Sequence, residues 1–141
     1  MLKRSLFLLL LSLLPLTADC PVLPQRVIKW RGQASWYGQP CQPGLHPSVC
    51  GEHGRQTYCR TRFDLRQRTI AVAAELVIQC GARVRVTRLD NGLSVELPVT
   101  DRLPSIWYRQ GRIAYLSHAA AAQLGIIEAG LARIELIYEP D

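Results

Sequence analysis

Between residues 82 and 100 the chain reads ARVRVTRLDNGLSVELPVT, and this stretch constrains the fold more than any other. Ala82, Val84 and Val86 fall on one face of an extended chain, with Arg83, Arg85 and Thr87 on the other. That period of two belongs to a half-buried strand. Asp90-Asn91-Gly92 supplies residues that tolerate positive φ in a tight turn, and Leu93 to Thr100 returns as a second strand. An isolated hairpin of this kind is marginal in water, so its apolar face demands further elements to cover it.

The remaining sequence offers more strands. Gln33 to Tyr37 alternates and stops at Gly38, Thr69 to Ala74 is β-branched and small, and Arg112 to Leu116 is a short apolar run. Gly130 opens a last strand, Leu131 to Tyr138, with Ala132, Ile134, Leu136 and Tyr138 on one face. Ser117 is placed to cap a short helix, HAAAAQL, that ends at Gly125. Asp101 to Gly111, with Pro104, Trp107 and Tyr108, reads as irregular, and Gln39 to Arg55 as a loop rich in Gly, Pro, His and Cys. Six short strands and one short helix predict a mainly-β domain, a small barrel around one core.

Residues 1–18 carry Lys3 and Arg4 ahead of an apolar run, Leu6 to Leu14, and a small-residue site at Leu16-Thr17-Ala18. This is the pattern of a secretory signal peptide, too short to span a bilayer. Residues 19–31 then read as an extended, proline-spaced arm and 32–139 as the folded domain. Asp19 makes a poor context for acylating Cys20, so plain cleavage after Ala18 is the expected processing. Lipidation of Cys20 is the alternative, and only then is a membrane a partner. The expected location is the periplasm or cell envelope, with an outer-membrane anchor in the lipidated case.

Five cysteines suit an oxidising compartment. Cys41, Cys50, Cys59 and Cys80 pair in three ways; the favoured one is Cys41–Cys50, stapling the Gly/Pro loop, with Cys59–Cys80. His46 and His53 lie among them, but the spacing matches no common zinc pattern, so no metal and no other cofactor is expected. The formal charge of +6, two of it from the leader, is arginine-rich but forms no concentrated stripe. Acidic wall polymers suit such a surface; a nucleic acid does not.

Six segments in order carry a resemblance: ASWYG at 34–38, HGRQT at 53–57, RFD at 62–64, RVRVTRLDNG at 83–92, Thr-Asp-Arg with Pro104 at 100–104, and the LS-AAA-LG pattern at 116–125. Together they resemble the RlpA-like (rare lipoprotein A) family over nearly the whole segment from Gly32 to Tyr138. The resemblance implies a six-stranded double-psi β-barrel, shared in outline with expansins and barwin-like proteins. It also implies action on peptidoglycan glycan strands, which some members cleave as lytic transglycosylases. A monomer is expected, with divisome or other envelope proteins as candidate partners.

A lytic transglycosylase needs one carboxylic acid, which protonates the glycosidic oxygen and then takes a proton from the sugar's own C6 hydroxyl. Hydrolysis by the usual glycosidase route needs two. Asp101 matches the family's acid, with Glu75 as a nearby second carboxylate. Trp36, Tyr37, Trp107 and Tyr108 are candidates to stack on sugar rings, and Arg55 and Arg102 to bind acidic groups of the polymer. Three family positions differ: its glutamate falls on Thr61, its histidine on Val72 and its second aspartate on Tyr115. Those departures keep a second reading open, an expansin-like module that binds or loosens wall glycan without cutting it. A protease inhibitor of barwin type is a third, with less support from the motifs.

Overall fold

The computed structural model describes residues 25–38 and 54–140. Six strands close into a barrel in the order β1-β5-β2-β4-β3-β6: β1 Ile28–Tyr37, β2 Ile70–Ala73, β3 Arg83–Arg88, β4 Ser94–Leu103, β5 Arg112–Ser117 and β6 Leu131–Tyr138. Two neighbouring pairs, β1–β5 and β2–β4, run parallel and the other four antiparallel. This is the double-psi barrel. The hairpin forms as its sequence requires, with Val84 opposite Leu97 and Val86 opposite Val95. Gly92 takes φ 72° in its turn, and the Leu93 N–H donates to Asn91 Oδ1.

Closure brings alternating apolar residues of all six strands into one interior. Val72, Val86, Leu97, Val99, Leu116, Ile134 and Leu136 are each inaccessible to solvent. Among the described residues no strand is left as an edge for another chain to pair with, which closed barrels achieve and open sheets do not.

Three expectations change in detail. β1 starts at Ile28, inside the segment read as an arm, because Ile28 to Gly32 pair with Tyr138 to Ile134 of β6. The stretch 101–111 is not irregular: β4 runs on to Leu103, and α1, Ser105–Tyr108, follows Pro104. Two short α-helices therefore stand where one was expected. The other, α2 (His118–Gln123), is capped as its sequence requires, Ser117 Oγ accepting from the Ala120 N–H at 3.3 Å. A 3-10 turn, Ala74–Leu76, follows β2. None of the described helices is long and apolar enough to cross a membrane.

Cys59 and Cys80 form a disulfide. It ties the tip of the 54–63 loop to the segment between the 3-10 turn and β3. Cys20, Cys41, Cys50, His46 and His53 lie outside the described residues. Gly38, at the end of β1, has φ +79° and sits against the Phe63 ring, so any side chain there would collide with it. A tight turn packed on an aromatic requires glycine for both reasons.

Candidate functional site

Along β4 the residues Val95, Leu97 and Val99 alternate into the core. The same period of buried positions continues through Asp101 and Leu103. The β2–β4 register shifts at this point: Ile70 pairs with Val99 but Ala71 with Asp101, so Thr100 is an extra residue in β4. A bulge of this kind shifts the pairing by one residue and sets Asp101 opposite Ala71. Asp101 thereby joins Ala71 and, one strand further, Tyr115 in a row across β4, β2 and β5. Ala71 is the small residue in the middle, and its methyl group leaves room between the other two.

That row lies in a cleft of about 400 Å³ lined also by Tyr37, Arg55, Arg102 and Pro104. Asp101 is 5% exposed and is the one charged residue buried among the described residues. Its Oδ1 accepts from the backbone N–H groups of Tyr58 and Arg102, both at 2.9 Å. Its Oδ2 accepts from Arg55 Nη2 at 2.6 Å. Charge-assisted bonds of this length are strong, and they compensate for removing a carboxylate from water.

The loop carrying Arg55 and Tyr58 is itself held on three sides. Within it, Phe63 N–H donates to the Arg55 carbonyl at 2.8 Å and Thr57 N–H to the Thr61 carbonyl at 2.8 Å. Phe63 stacks on Tyr37, ring centroids 4.5 Å apart. At the tip, Cys59 is bonded to Cys80 and its N–H donates to the Thr100 carbonyl at 3.2 Å. The disulfide thus anchors the loop beside the acid it serves.

On the opposite side Tyr115 is braced. Arg112 Nη1 donates to the Tyr115 hydroxyl at 2.8 Å, and the same guanidinium lies 4.5 Å from the Trp107 ring centroid. Cation–π contact of this kind is attractive and holds the two side chains together. Tyr37 and Trp107 flank Tyr115 at centroid distances of 6.2 and 6.5 Å.

Asp101, Tyr37, Arg55 and Arg102 of the sequence-predicted site therefore meet in one cleft, whereas the rest do not line it. Trp36 is turned away: its Nε1 donates to the Ile127 carbonyl at 3.2 Å and its ring meets His118 edge-on. Tyr108 packs partly buried against the core, and Trp107 reaches the site only through Arg112 and Tyr115. Glu75 is exposed on the 3-10 turn after β2, because the strand ends at Ala73 before reaching it. Arg102 points its Nη2 at the Ile78 carbonyl, 2.5 Å away, and stacks over Tyr58. Val72, aligned with the family's histidine, packs in the core, so Ala71 is the residue of β2 that faces the cleft. Thr61 bonds Thr57 hydroxyl to hydroxyl at 2.8 Å.

Sequence reasoning set Tyr115 at a family groove position but gave its side chain no part in binding, and the structure puts it in the cleft lining. The available signal was its phase: it alternates with Ala114 and Leu116, both fully buried, and so faces outward from β5. A second cleft, at Gln79, Arg83, Tyr138 and Glu139, has no fully buried ionisable group in its lining. Among the described residues no three His, Cys, Asp or Glu side chains cluster as metal ligands would.

Comparison with known proteins agrees with this architecture. No family model matches the chain. The endolytic peptidoglycan transglycosylase RlpA of Pseudomonas aeruginosa is 36% identical over 116 residues, 82% of this chain. The chain belongs to the RlpA-like family. RlpA of Vibrio cholerae is 37% identical over 108 residues, and the probable RlpA of Synechocystis 38% over 105. The chain spans only 29%, 35% and 27% of the length of these three curated relatives. Among solved structures, the Streptomyces papain inhibitor superposes with a TM-score of 0.58 at 22% identity, covering 84% of this chain and all of that one. An apo expansin of Clavibacter michiganensis gives 0.57 at 20%, covering 81% and 52%. Identities this low establish the shared double-psi barrel and nothing of function.

Proposed function

We propose that this RlpA-like domain acts on the glycan strands of peptidoglycan as a lytic transglycosylase, with Asp101 as its acid and base. The observation that carries the reading is the burial of Asp101 in the cleft, since no other charged residue among those described is buried. The activity named for the relatives supports it. The proton of the Asp101 carboxyl passes to the glycosidic oxygen as the bond from C1 breaks. The C6 hydroxyl oxygen then closes onto C1 and returns its proton to the carboxylate, giving a 1,6-anhydro end without water. One carboxyl group suffices, and the cleft lining contains one. The backbone donors on Oδ1 hold the group in place, while the guanidinium on Oδ2, whose Arg55 side chain is 44% exposed, is what a substrate oxygen displaces. Peptidoglycan as substrate places the protein in the cell envelope, reached through the signal sequence of residues 1–18.

The test is incubation with peptide-free glycan strands and mass spectrometry of the products. Anhydro-ended fragments are expected from the wild-type protein and none from Asp101→Asn. Cleavage that survives Asp101→Asn refutes the assignment. A second reading, binding without cleavage, is favoured by Tyr115 standing in the cleft where the family's aspartate would be. Retention on sacculi with no anhydro products would decide for it.

A further inference from the structure

Tyr115 lines the cleft at the position of the family's second aspartate, whose role a phenol cannot take over unchanged. We infer that Tyr115 is a sugar platform, stacking on a pyranose ring of the glycan strand in the subsite next to Asp101. The inference deepens the reading above and rests on it for the identity of the ligand.

Three observations carry it. First, the register sets the spacing. Asp101 and Tyr115 are the outer members of a row whose middle member is Ala71, so they stand two strand separations apart, roughly 10 Å between backbones. The Ala71 methyl makes a low floor between a carboxylate and an aromatic ring, a slot suited to one flat sugar ring. Second, the ring is immobilised before any ligand arrives. Its hydroxyl is bonded by Arg112 at 2.8 Å, and Arg112 is packed on Trp107 at 4.5 Å. A platform already fixed in one rotamer loses little entropy on binding. Third, Tyr37 and Trp107 flank Tyr115 at 6.2 and 6.5 Å, so aromatic surface continues to either side, opposite the Arg55–Asp101 pair. One wall is thus aromatic, with Arg112 packed on it, and the other carries the Arg55–Asp101 pair. An amino-sugar polymer presents the matching faces: apolar axial C–H groups for stacking and oxygen atoms for the acid.

The recognition chemistry is that of a pyranose read through a ring face, and the lytic reading assigns that sugar to the peptidoglycan glycan strand. The aspartate that the family resemblance places here would offer hydrogen bonds instead. Tyr115 substitutes stacking for them, a change that trades a directional contact for a sequence-tolerant one.

The experiment uses soluble peptide-free glycan strands titrated into the full chain, in an Asp101→Asn background so that nothing is consumed. Tyr115→Ala should weaken binding about tenfold, and Tyr115→Phe, which keeps the ring, by no more than about threefold. Intermolecular nuclear Overhauser contacts should connect the Tyr115 ring protons with axial sugar protons. Unchanged affinity in Tyr115→Ala, the absence of those contacts, or no binding of strands at all overturns the inference. Should the alanine variant fold poorly, Tyr115→Leu replaces it, and the contacts measured on the unaltered ring decide independently. The outcomes also separate this inference from the lytic reading. Strands held through Tyr115 but never cleaved by the Asp101-bearing protein defeat the lytic reading alone. Cleavage that needs Asp101 and ignores Tyr115→Ala defeats the platform alone.

Discussion

Removing the Cys59–Cys80 bridge should weaken the fold and disable the cleft to different extents, and the difference is measurable. The two cysteines are 21 residues apart in sequence. In the chain-entropy account a crosslink closing a loop of that length removes roughly 11 cal/mol/K from the unfolded ensemble, about 3 kcal/mol at room temperature. For a domain of this size that corresponds to a fall in Tm of roughly 12–24 °C. The same bridge anchors the loop whose Tyr58 N–H and Arg55 guanidinium bond Asp101. A Cys59→Ala/Cys80→Ala variant, studied well below its own Tm, should therefore keep its far-UV circular dichroism while losing most binding and turnover of glycan strands. Thermal melts of both proteins supply the first quantity and strand titrations the second. A Tm within about 4 °C of wild type would refute the entropic argument. Full activity in the folded variant would refute the claim that the bridge positions the acid's donors.

Two further outcomes follow from local contacts. Arg55→Gln removes a charged donor from a carboxylate that is only 7% exposed, while Arg55 itself is half in solvent; a loss of about 1–2 kcal/mol in urea unfolding is expected, and no loss would mean that the pair is a surface contact. Asp90 accepts bonds from Arg88 at 2.5 and 2.8 Å, which hold its carboxyl below the ordinary carboxylate range. Its contribution is present above the unfolded-state value of about 3.9 and disappears as pH falls through the lower folded-state value. Wild type should therefore lose its advantage over Asp90→Asn in acid melts below about pH 4. Parallel curves across that range would exclude the pairing.

Much of the barrel was legible in local sequence. Strand period, the Asp90-Asn91-Gly92 turn and the Ser117 cap all depend on interactions within a few residues, and each stands where residue chemistry puts it. The favoured Cys59–Cys80 pairing also holds. The six family segments in order identified the scaffold. The site was legible only in part, because identical residue types serve either packing or recognition. Trp36 and Tyr37 are adjacent in one strand, yet one bonds the Ile127 carbonyl and the other lines the cleft.

By itself, then, the sequence determined a mainly-β chain with a hairpin at 82–100, a capped helix after Ser117 and an acid following β-branched residues at 99 and 100. Only the tertiary structure decided that the acid, although buried, lines a cleft. Asp101 keeps the buried phase of Leu97 and Val99, and the extra residue at Thr100 sets it opposite Ala71 in the cleft lining. Closure likewise sets Gln33 against Arg112 and Ala71 against both Asp101 and Tyr115. Pairings between residues 30 to 80 positions apart are fixed by the cooperative closing of the barrel, and no local pattern in the chain encodes them.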